Sequence, residues 1–517
     1  MIVIGGGLAG LAAGVALADA GCRVRLFEQR PYLGGRATSY ALPNGEHVDN
    51  CQHVTLGCCT NLADFYRRVG ATDKIKFFDR LVFLDPQGMT GIMQADFLPA
   101  PIHMTGSFLF FASLALPDKL SIARALAAIL FAGGRPKDAY SGEPISMMEW
   151  LRRRKQTPAA IERFWRVVLV SALNEELDRT DARFGVDVFW KAFLANRTGY
   201  RVGVPSVPLA ELYDGCRTAI ERKGGEVILR SPVRSLRFEN GALKAAIFDG
   251  GREEAADSFV LALPHDRIAE LLPKEVRFAN PALAHLEKFK VSPITGVHLW
   301  FDREVTHEPF ITLLDTQTQW IFNKTTLYRK AVGEFSGAIP SAARNLLGQD
   351  ATEKADSSGA ARPRNDQLHG FSAAATNKEG PSDSSGQYLQ LVISASYDLL
   401  RKSREETIEL CLKEVRQALP AAREAQLLKA TVIKEAAATF SPRPGVDQWR
   451  PAQETKTLGL FLAGDWTASG WPATMEGAVR SGYLAAEAVL RSSNSPQKFL
   501  QPDLPVTGLS RLFARKN

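Results

Sequence analysis

A strand, a turn with three spaced glycines and a helix occupy the first residues of the chain and constrain its fold more than any other feature. The β-branched run at residues 2–4 is followed by Gly5-x-Gly7-x-x-Gly10, and an alanine-rich helical pattern covers residues 8–20. Gly5 permits the tight turn, Gly7 lets backbone N–H groups approach a pyrophosphate, and Gly10 lets the helix pack close to the strand. The helix N-terminus then faces the phosphates with the positive end of its dipole.

A second apolar strand strengthens this interpretation. It covers residues 24–27 and ends in Glu28, 18 residues after Gly10. In dinucleotide-binding βαβ units an acidic residue at about this distance takes a ribose hydroxyl. The chain is therefore predicted to bind a dinucleotide through Gly5, Gly7, Leu8, Ala9, Gly10 and Glu28.

Length and composition predict a globular protein of several domains without a metal centre. The 517 residues are 45% hydrophobic, and a chain of this length usually forms two or three domains. The 6 cysteines show no CxxC spacing and the 8 histidines form no HxxxH pair, so we expect no metal site and no disulfide framework. Met1 leads straight into a strand, which predicts no signal peptide and a cytoplasmic location.

The net charge of +7 comes from 63 basic and 56 acidic residues spread along the chain. No nucleic-acid motif accompanies it, so no nucleic-acid partner is expected.

In residues 104–137 the positive charge is instead concentrated beside apolar sequence. Two apolar helical runs alternate there with Lys119, Arg124, Arg135 and Lys137. Neither run reaches the ~18–20 residues of a spanning helix. The stretch fits either a helix pair lying on an anionic membrane or a pair of core helices.

Two further glycine-containing motifs lie near the two ends of the chain. Gly34-Gly35-Arg36 lies in "RPYLGGRATSY", and Gly464-Asp465 precedes a helical pattern in "LAGDWTASGWPATMEGAVRSG". Together with the N-terminal turn, these motifs resemble the flavin amine oxidase and phytoene desaturase superfamily, whose chains hold FAD from both ends. The resemblance implies FAD as the cofactor and disfavours a simple NAD-dependent dehydrogenase.

The resemblance also implies which residues contact FAD. The expected contacts are Gly34, Gly35 and Arg36 at the pyrophosphate and flavin, Gly464 and Asp465 at the phosphate and ribityl chain, Met475, Glu476 and Ala478 beside the isoalloxazine, and the Val233 backbone at the adenine. Arg36 would neutralise the pyrophosphate and Asp465 would accept from ribityl hydroxyls. The helix beginning near Thr474 would point its dipole at the electron-rich edge of the ring.

The fold class expected is α/β, with an FAD-binding Rossmann-like domain interleaved with an α+β substrate domain that contains an antiparallel sheet and a helical lobe. The FAD-binding domain is assigned to residues 1–80, 205–270 and 455–491, and the substrate domain to residues 81–204 and 271–454. Residues 335–386 are rich in Ser, Ala, Gly, Asp and Asn, which predicts a disordered insertion. Residues 492–517 are predicted to form a flexible tail.

A finer resemblance concerns the segments "DNCQHV", "NLADFYRRVG" and "TQWIFNK". They closely resemble the hydroxysqualene dehydroxylases, the squalene-associated FAD-dependent desaturases of hopanoid synthesis, and Cys51 stands where the wider superfamily usually has glycine. The implied reaction is reductive removal of an allylic hydroxyl, with a hydride from reduced flavin. The implied partners are a triterpene or other isoprenoid lipid, the inner face of the cell membrane through peripheral contact, and other enzymes of the squalene pathway.

Such a reaction needs an acid at the leaving hydroxyl and walls that tolerate a cation. His53 and Asp49 are the titratable groups nearest the Gly-Gly-Arg motif in sequence, and His53 is the better acid near neutral pH. Trp300, Trp320 and Phe322 are candidates to face the cation through their rings, although each also fits ordinary sheet packing.

Three other functions stay open at this point. A carotenoid-type desaturase would use the same fold and run the hydride toward FAD. A flavin amine oxidase would recognise a polar substrate. A non-enzymatic relative of the GDP-dissociation inhibitors would hold prenyl groups without needing an intact flavin site.

Overall fold

The computed structural model describes residues 1–42, 46–328 and 386–515. Its strands are β1 Ile2–Ile4, β2 Arg25–Phe27, β3 Ser39–Ala41, β4 His47–Asp49, β5 Thr55–Leu56, β6 Ile75–Phe78, β7 Leu81–Leu84, β8 Thr90–Met93, β9 Val202–Pro205, β10 Glu226–Ile228, β11 Val233–Glu239, β12 Ala242–Phe248, β13 Glu253–Ala255, β14 Phe259–Leu261, β15 Val291–Phe301, β16 Phe310–Leu313, β17 Trp320–Asn323, β18 Gln387–Ser394, β19 Leu427–Phe440 and β20 Leu460–Leu462. Its α-helices are α1 Leu8–Asp19, α2 Thr60–Arg68, α3 Thr105–Leu109, α4 Leu116–Phe131, α5 Lys137–Tyr140, α6 Met147–Arg153, α7 Pro158–Ala160, α8 Val167–Leu173, α9 Ala182–Val188, α10 Asp214–Glu221, α11 His265–Leu271, α12 Lys274–Ala279, α13 Lys324–Tyr328, α14 Arg404–Ala418, α15 Ala421–Glu424 and α16 Met475–Ser492.

A five-stranded parallel sheet in the order β10-β2-β1-β14-β20 forms the first layer. Its strands β1, β14 and β20 and the ends of β2 and β10 are apolar, as expected for a sheet buried on both faces. Helix α1 packs against α16, and the backbones are so close that a Cβ on Gly482 would lie 2.3 Å from the Ala9 carbonyl oxygen. The chain thus returns to this sheet at both ends, and the expected Rossmann-like fold class is confirmed.

A seven-stranded mixed sheet in the order β19-β15-β18-β17-β16-β7-β8 forms the second layer. It contains the antiparallel strands β15, β17 and β18, in agreement with the antiparallel sheet expected for the substrate domain. Residues 81–204, which looked helical in the sequence, begin instead with the hairpin β7–β8 of this sheet. The signal for its turn is Asp85, whose carboxylate accepts from the Gln87 and Met89 amides, followed by Gly88 at φ +80°.

Residues 105–200 form the helical lobe, which ends just before strand β9. Two π-helical turns interrupt it, at Ile161–Arg166 and Phe189–Leu194, each continuous with a neighbouring α-helix. They bring the Trp165 and Phe189 rings to a centroid distance of 4.4 Å. Among the described residues, no helix has both the length and the apolar character needed to cross a membrane.

The C-terminal segment corrects one expectation. Residues up to 515 are ordered on the surface rather than forming a flexible tail, because backbone and side-chain hydrogen bonds fix them along their length. The Gln501 amide donates to Asn61 at 2.8 Å, the Thr507 amide to the Ala195 carbonyl at 2.9 Å, and the Leu509 amide to the Ala100 carbonyl at 2.8 Å. Buried Phe499 adds apolar contact with the first layer.

Residues 335–385 of the predicted insertion lie outside the described residues, but the two chain ends that flank the undescribed stretch are close together. The Tyr388 amide donates to the Thr325 hydroxyl at 2.8 Å, between β18 and α13. A short loop can therefore connect α13 to β18 without moving either element.

We expect residues 335–385 to be dispensable for cofactor binding. Replacing them with a short Gly/Ser linker should leave FAD content and melting temperature unchanged, because a segment of this composition buries little apolar surface. The checks are flavin absorbance per protein and thermal unfolding. A variant that loses FAD or aggregates would show that the segment belongs to the folded core.

Candidate cofactor and substrate site

The two N-terminal glycine motifs form one continuous cradle. The Gly34 amide donates to the Gly6 carbonyl at 2.9 Å, and a Cβ on Gly35 would lie 2.9 Å from the Gly7 Cα. Gly35 also has φ +62°, which favours glycine. Helix α1 begins directly after Gly7, with no side chain capping its N-terminus and no acidic residue in its first turn. Its first amides are therefore available to an anion such as a pyrophosphate.

Leu8 and Ala9 contribute to this cradle through their backbone, since both side chains are buried between α1 and the rest of the first layer. Glu28 lies at the end of β2, as predicted. Its carboxylate accepts from the Gly6 amide at 2.7 Å and the Arg30 amide at 2.8 Å, which ties the strand end to the glycine turn.

Val233 lies close to the same strand end. The Ser231 amide donates to the Glu28 carbonyl at 2.9 Å, two residues before Val233. Val233 opens β11, and the expected contact of its backbone with the adenine stays a prediction.

The C-terminal motif meets the N-terminal one through an ion pair. Arg36 Nη2 lies 2.6 Å from Asp465 Oδ1, and Asp465 is buried while the Arg36 side chain is about one-third exposed. Gly464 has φ +149°, and a Cβ there would lie 2.5 Å from Trp466 Nε1. The fold thus brings together Arg36 and Asp465, which are 429 residues apart in the chain. Both were expected to bind the pyrophosphate and ribityl groups of FAD.

The N-terminus of α16 holds the remaining predicted FAD contacts. The Thr474 hydroxyl caps the helix by accepting from the Gly477 amide at 3.0 Å. Met475 and Ala478 are half-buried in the first turn. Glu476 is different: its carboxylate is buried and accepts from the Leu62 amide at 2.7 Å and the Asn61 side chain at 2.9 Å. The expected cofactor role of this side chain is therefore corrected to capping α2.

Residues 50–61 connect the two cofactor motifs. At one end the Asn50 side chain donates to the Arg36 carbonyl at 2.7 Å, and at the other Asn61 bonds to Glu476. His53 lies between these anchors and is half-buried. Cys51 packs with Phe310 and Phe322 in an apolar cluster of the second layer. This connecting segment therefore lies between the predicted flavin contacts and apolar side chains.

The protonation of His53 follows from its contacts. Its Nδ1 lies 3.0 Å from the Cys51 carbonyl oxygen, which can only accept, so Nδ1 carries the hydrogen. Nε2 makes no hydrogen bond to the described residues. Burial lowers the pKa of His53 below its ordinary value, so the ring is neutral near pH 7 with a free lone pair on Nε2.

Asp49 is saturated by donors rather than free to act as an acid. Oδ1 accepts from the Ser39 hydroxyl at 2.7 Å and the Leu209 amide at 3.0 Å. Oδ2 accepts from Lys324 Nζ and from the Tyr328 hydroxyl, both at 2.8 Å. Burial alone would raise its pKa, but Lys324 and these hydrogen bonds hold the pKa of Asp49 below its usual value. The catalytic role predicted for Asp49 is corrected to a positioning role.

Lys324 is the functional-site residue that sequence reasoning missed. Its side chain and that of Asp49 are both fully inaccessible to solvent, and Nζ also donates to Gln52 Oε1 at 2.7 Å. Burial lowers the pKa of Lys324, an effect opposed by Asp49. The pair attaches the segment that carries Cys51 and His53 to the seven-stranded sheet.

The three predicted substrate aromatics do not lie together. Trp320 and Phe322 stack at a centroid distance of 5.7 Å in the apolar cluster that contains Cys51. Trp300 instead stacks on Tyr388 at 4.5 Å, with the Lys429 ammonium 4.4 Å from its ring centroid. Both faces of Trp300 are thereby occupied, so its expected contact with substrate is corrected to sheet packing.

Comparison with known families decides the cofactor class. The family model described as flavin containing amine oxidoreductase matches residues 8–490, which include α1, the Gly-Gly-Arg half of the cradle, the ion pair and the start of α16. The chain belongs to this family. It is an FAD-dependent oxidoreductase of the amine oxidase and desaturase superfamily.

Several proteins are similar to this flavoprotein over most of its length. The 15-cis-phytoene desaturase of Solanum lycopersicum is 26% identical over 510 residues, covering 95% of this chain and 77% of the relative. The zeta-carotene desaturase of Synechocystis sp. is 26% identical over 505 residues, covering 94% and 96%. Among solved structures, an oxidoreductase from Methanosarcina mazei superposes with TM-score 0.64 at 17% identity, covering 95% and 99%. A putrescine oxidase double mutant superposes with TM-score 0.63 at 14% identity, covering 95% and 98%.

The residues of this flavoprotein fit FAD. The uncapped α1 amides and the space beside Gly7 would hold the pyrophosphate, Glu28 the ribose, and Arg36 and Asp465 the phosphate and ribityl groups. Bound FAD would supply hydride transfer at its ring. The chain itself orients the segment at residues 50–53 through Asp49 and Lys324, and packs apolar side chains beside it that exclude water.

Proposed function

We propose that this flavoprotein is a carotenoid-type desaturase that acts on a long isoprenoid hydrocarbon. Desaturation removes a hydride from one carbon and a proton from its neighbour, leaving a double bond, with FAD as the hydride acceptor. The names of the relatives at 26% identity support this substrate class. In the segment at residues 50–53, Cys51 lies in one buried apolar cluster with Phe310 and Phe322, surroundings that suit a hydrocarbon better than a polar amine.

The hydrogen bond from His53 Nδ1 to the Cys51 carbonyl is the observation that carries this proposal. An oxidation that releases a proton needs an acceptor, and Nε2 of His53 has a free lone pair because Nδ1 is committed to the Cys51 carbonyl. A pKa lowered by burial keeps that acceptor available at neutral pH.

Reductive dehydroxylation of hydroxysqualene is the second candidate, supported by the resemblance of "DNCQHV" and "TQWIFNK". In that reaction the allylic C–O bond breaks, a proton joins the hydroxyl to release water, and a hydride from reduced flavin joins the carbon. The reaction needs a protonated donor, which burial of His53 disfavours.

One anaerobic experiment separates the two reactions. Protein with oxidised FAD is mixed with phytoene, and photoreduced protein is mixed with hydroxysqualene, while flavin absorbance and products are followed together. We expect flavin reduction with a desaturated product in the first mixture. Flavin reoxidation with squalene in the second mixture, and no change in the first, would overturn the proposal in favour of dehydroxylation.

The pH dependence of turnover tests the role of His53. If neutral His53 accepts the proton, the single-turnover rate should be constant at neutral pH and fall as His53 becomes protonated, below the ordinary histidine pKa because burial lowers it. His53→Ala should lower the rate by about 100-fold or more, a typical general-base contribution, while FAD content stays unchanged. A rate that rises on acidification would instead identify His53 as a proton donor.

We further propose that the helical lobe contacts a membrane, from which an insoluble isoprenoid would enter. Exposed apolar side chains cluster there, and Phe110 is 89% exposed. The exposed face of α4 carries Leu116, Leu120 and Phe131 at helical spacing, with Arg124 beside them. An apolar face edged by cations suits the interface of an anionic bilayer.

Phe110 and Phe111, which directly follow α3, should respond differently to substitution. Phe110→Ser should weaken vesicle binding with no loss of stability. Phe111 is 4% exposed and packs edge-on against Phe83 at 5.3 Å, so of the two alternatives for residues 104–137 it fits the core. Phe111→Ser should therefore lower the free energy of unfolding by about 3 kcal/mol or more. Vesicle sedimentation and urea unfolding of the two variants provide the measurement; equal effects would contradict this assignment.

A further inference from the structure

A cavity of about 410 Å³ lies between the C-terminal segment and the helical lobe. Its walls include three cationic side chains, two tryptophans and one acid: Arg135, Lys191, Arg515, Trp190, Trp471 and Asp503. Pockets of this volume take small ligands. Nothing in the proposed reaction uses this cavity, because the FAD contacts lie in other residues.

Hydrogen bonds fix the segment that closes the cavity. The Ser510 hydroxyl donates to the Leu194 carbonyl at 2.6 Å, and Arg515 Nη2 donates to the Arg135 carbonyl at 3.0 Å. Asn196 Nδ2 donates to the Pro505 carbonyl at 2.8 Å. The walls are therefore built by defined contacts and not by a loose terminus.

The charges in the cavity favour an anion. Asp503 is already paired with Arg480 at 2.7 Å, so its charge is compensated from outside the cavity. Lys191 has Asp187 at 3.5 Å and the Trp471 ring at 4.8 Å. Arg135 and Arg515 are exposed, and neither forms an ion pair with the described residues. The cavity thus combines an excess of positive charge with aromatic walls.

The same segment carries exposed apolar side chains next to these cations. Leu512 is 77% exposed and lies three residues before Arg515, and Phe131 is 68% exposed and lies four residues before Arg135. The rings of Phe131 and Phe513 contact at a centroid distance of 5.1 Å, which joins the segment to α4. The apolar side chains would enter the acyl region of a bilayer. The neighbouring cations would then lie at the depth of the lipid phosphates.

We propose that this cavity binds the phosphate head group of an anionic phospholipid and thereby sets the lipid preference of the protein. The proposal rests on the membrane contact proposed above, and it is independent of which isoprenoid reaction the flavin site performs. Arg135 and Arg515, which are neighbours through the hydrogen bond between them, bind the phosphate, Lys191 adds a third positive charge to the lining, and Leu512 and Phe131 contact the acyl chains of the same leaflet.

The test uses the full-length FAD-loaded protein and two kinds of vesicle: phosphatidylcholine alone, and an equal mixture of phosphatidylcholine and phosphatidylglycerol. We expect the wild type to prefer the mixture. The double substitution Arg135→Glu/Arg515→Glu should weaken binding to the mixture by about 30-fold or more, given the attraction of each cation to an anionic surface. The matched control Arg401→Glu/Lys413→Glu makes the same charge change at and before α14 and should bind as the wild type does.

A second variant separates the cavity from general surface charge. Ala514→Trp fills the cavity without changing any charge, and it should reduce the preference for the mixture while FAD content and melting temperature are retained. Equal binding of the wild type to both vesicles, equal effects of the two double substitutions, or wild-type binding by Ala514→Trp would each overturn the proposal. So would release from the mixture by inorganic phosphate at matched ionic strength, since the site would then take a free anion. A failed turnover assay leaves these sedimentation results unaffected.

Discussion

Gly7→Val is expected to abolish FAD binding without unfolding the protein. A Cβ at Gly7 would meet only the Gly35 Cα, at 3.8 Å, so the apoprotein has room for the side chain. Gly7 also has ordinary extended angles, φ −77° and ψ 173°, which valine adopts readily. The added methyl groups occupy the place of the pyrophosphate and block its approach to the α1 amides. Losing two charge-assisted hydrogen bonds corresponds to about 100-fold or more in affinity.

The measurement is FAD titration of the apoprotein, with thermal unfolding in parallel. Gly10→Val serves as the contrasting variant, because a Cβ there would lie 1.9 Å from the Gly5 carbonyl oxygen and must disturb the turn itself. Gly7→Val should lose FAD with its apoprotein melting temperature unchanged, whereas Gly10→Val should lose both. Full flavin occupancy in Gly7→Val would place the phosphates elsewhere.

Lys324→Met is expected to destabilise the protein by about 3–5 kcal/mol, because it leaves the Asp49 carboxylate buried without its counter-ion. The pair is fully inaccessible to solvent, so water cannot replace the lost ammonium group. The free energy of unfolding from urea titration gives the effect.

The double substitution Lys324→Met/Asp49→Leu provides the control. With both charges removed, the penalty of the unpaired carboxylate disappears. Three donors to Asp49 lose their acceptor, which costs less than a buried unpaired charge, so the double variant should be more stable than Lys324→Met alone. If the destabilisation of the double variant equals the sum of those of Lys324→Met and Asp49→Leu, the ion pair would not be its source. A double variant that keeps FAD but loses turnover would show that the pair also positions His53.

The first layer could be predicted from sequence because its information is local. Gly5, Gly7 and Gly10 follow a strand directly, and Glu28 closes the next one, so short-range patterns suffice. The Gly-Gly-Arg and Gly-Asp motifs were found by resemblance, and the ion pair between Arg36 and Asp465 shows that they meet in space.

Long-range partners explain what the sequence did not reveal. Lys324 follows a strand and looks like an exposed cation; only the fold places it against Asp49, 275 residues away. Glu476 sits in the motif expected at the flavin, but its carboxylate is taken by α2, a contact that no spacing rule encodes. Trp300 and Trp320 are both tryptophans in apolar strand patterns. In the sheet, however, Trp300 is opposite Tyr388 and Trp320 is opposite Val392, four residues further along β18.

The C-terminal segment was misjudged for a different reason. Its Ser, Pro and Asn content resembles a linker, while its few large apolar residues are spaced irregularly and fit neither strand nor helix periodicity. Phe499 and Phe513 are nevertheless anchors: Phe499 packs into the first layer, and Phe513, at the end of the 3-10 helix Gly508–Leu512, packs against Phe131.

The meeting of Arg36 with Asp465 has a consequence for biosynthesis. During translation the N-terminal cradle leaves the ribosome before its ionic partner, because 429 residues separate Arg36 from Asp465. A polypeptide that has not yet reached β20 and the capped start of α16 has half a flavin site, so cofactor capture has to wait for these elements. Flavin content therefore reports whether translation has passed the C-terminal motif.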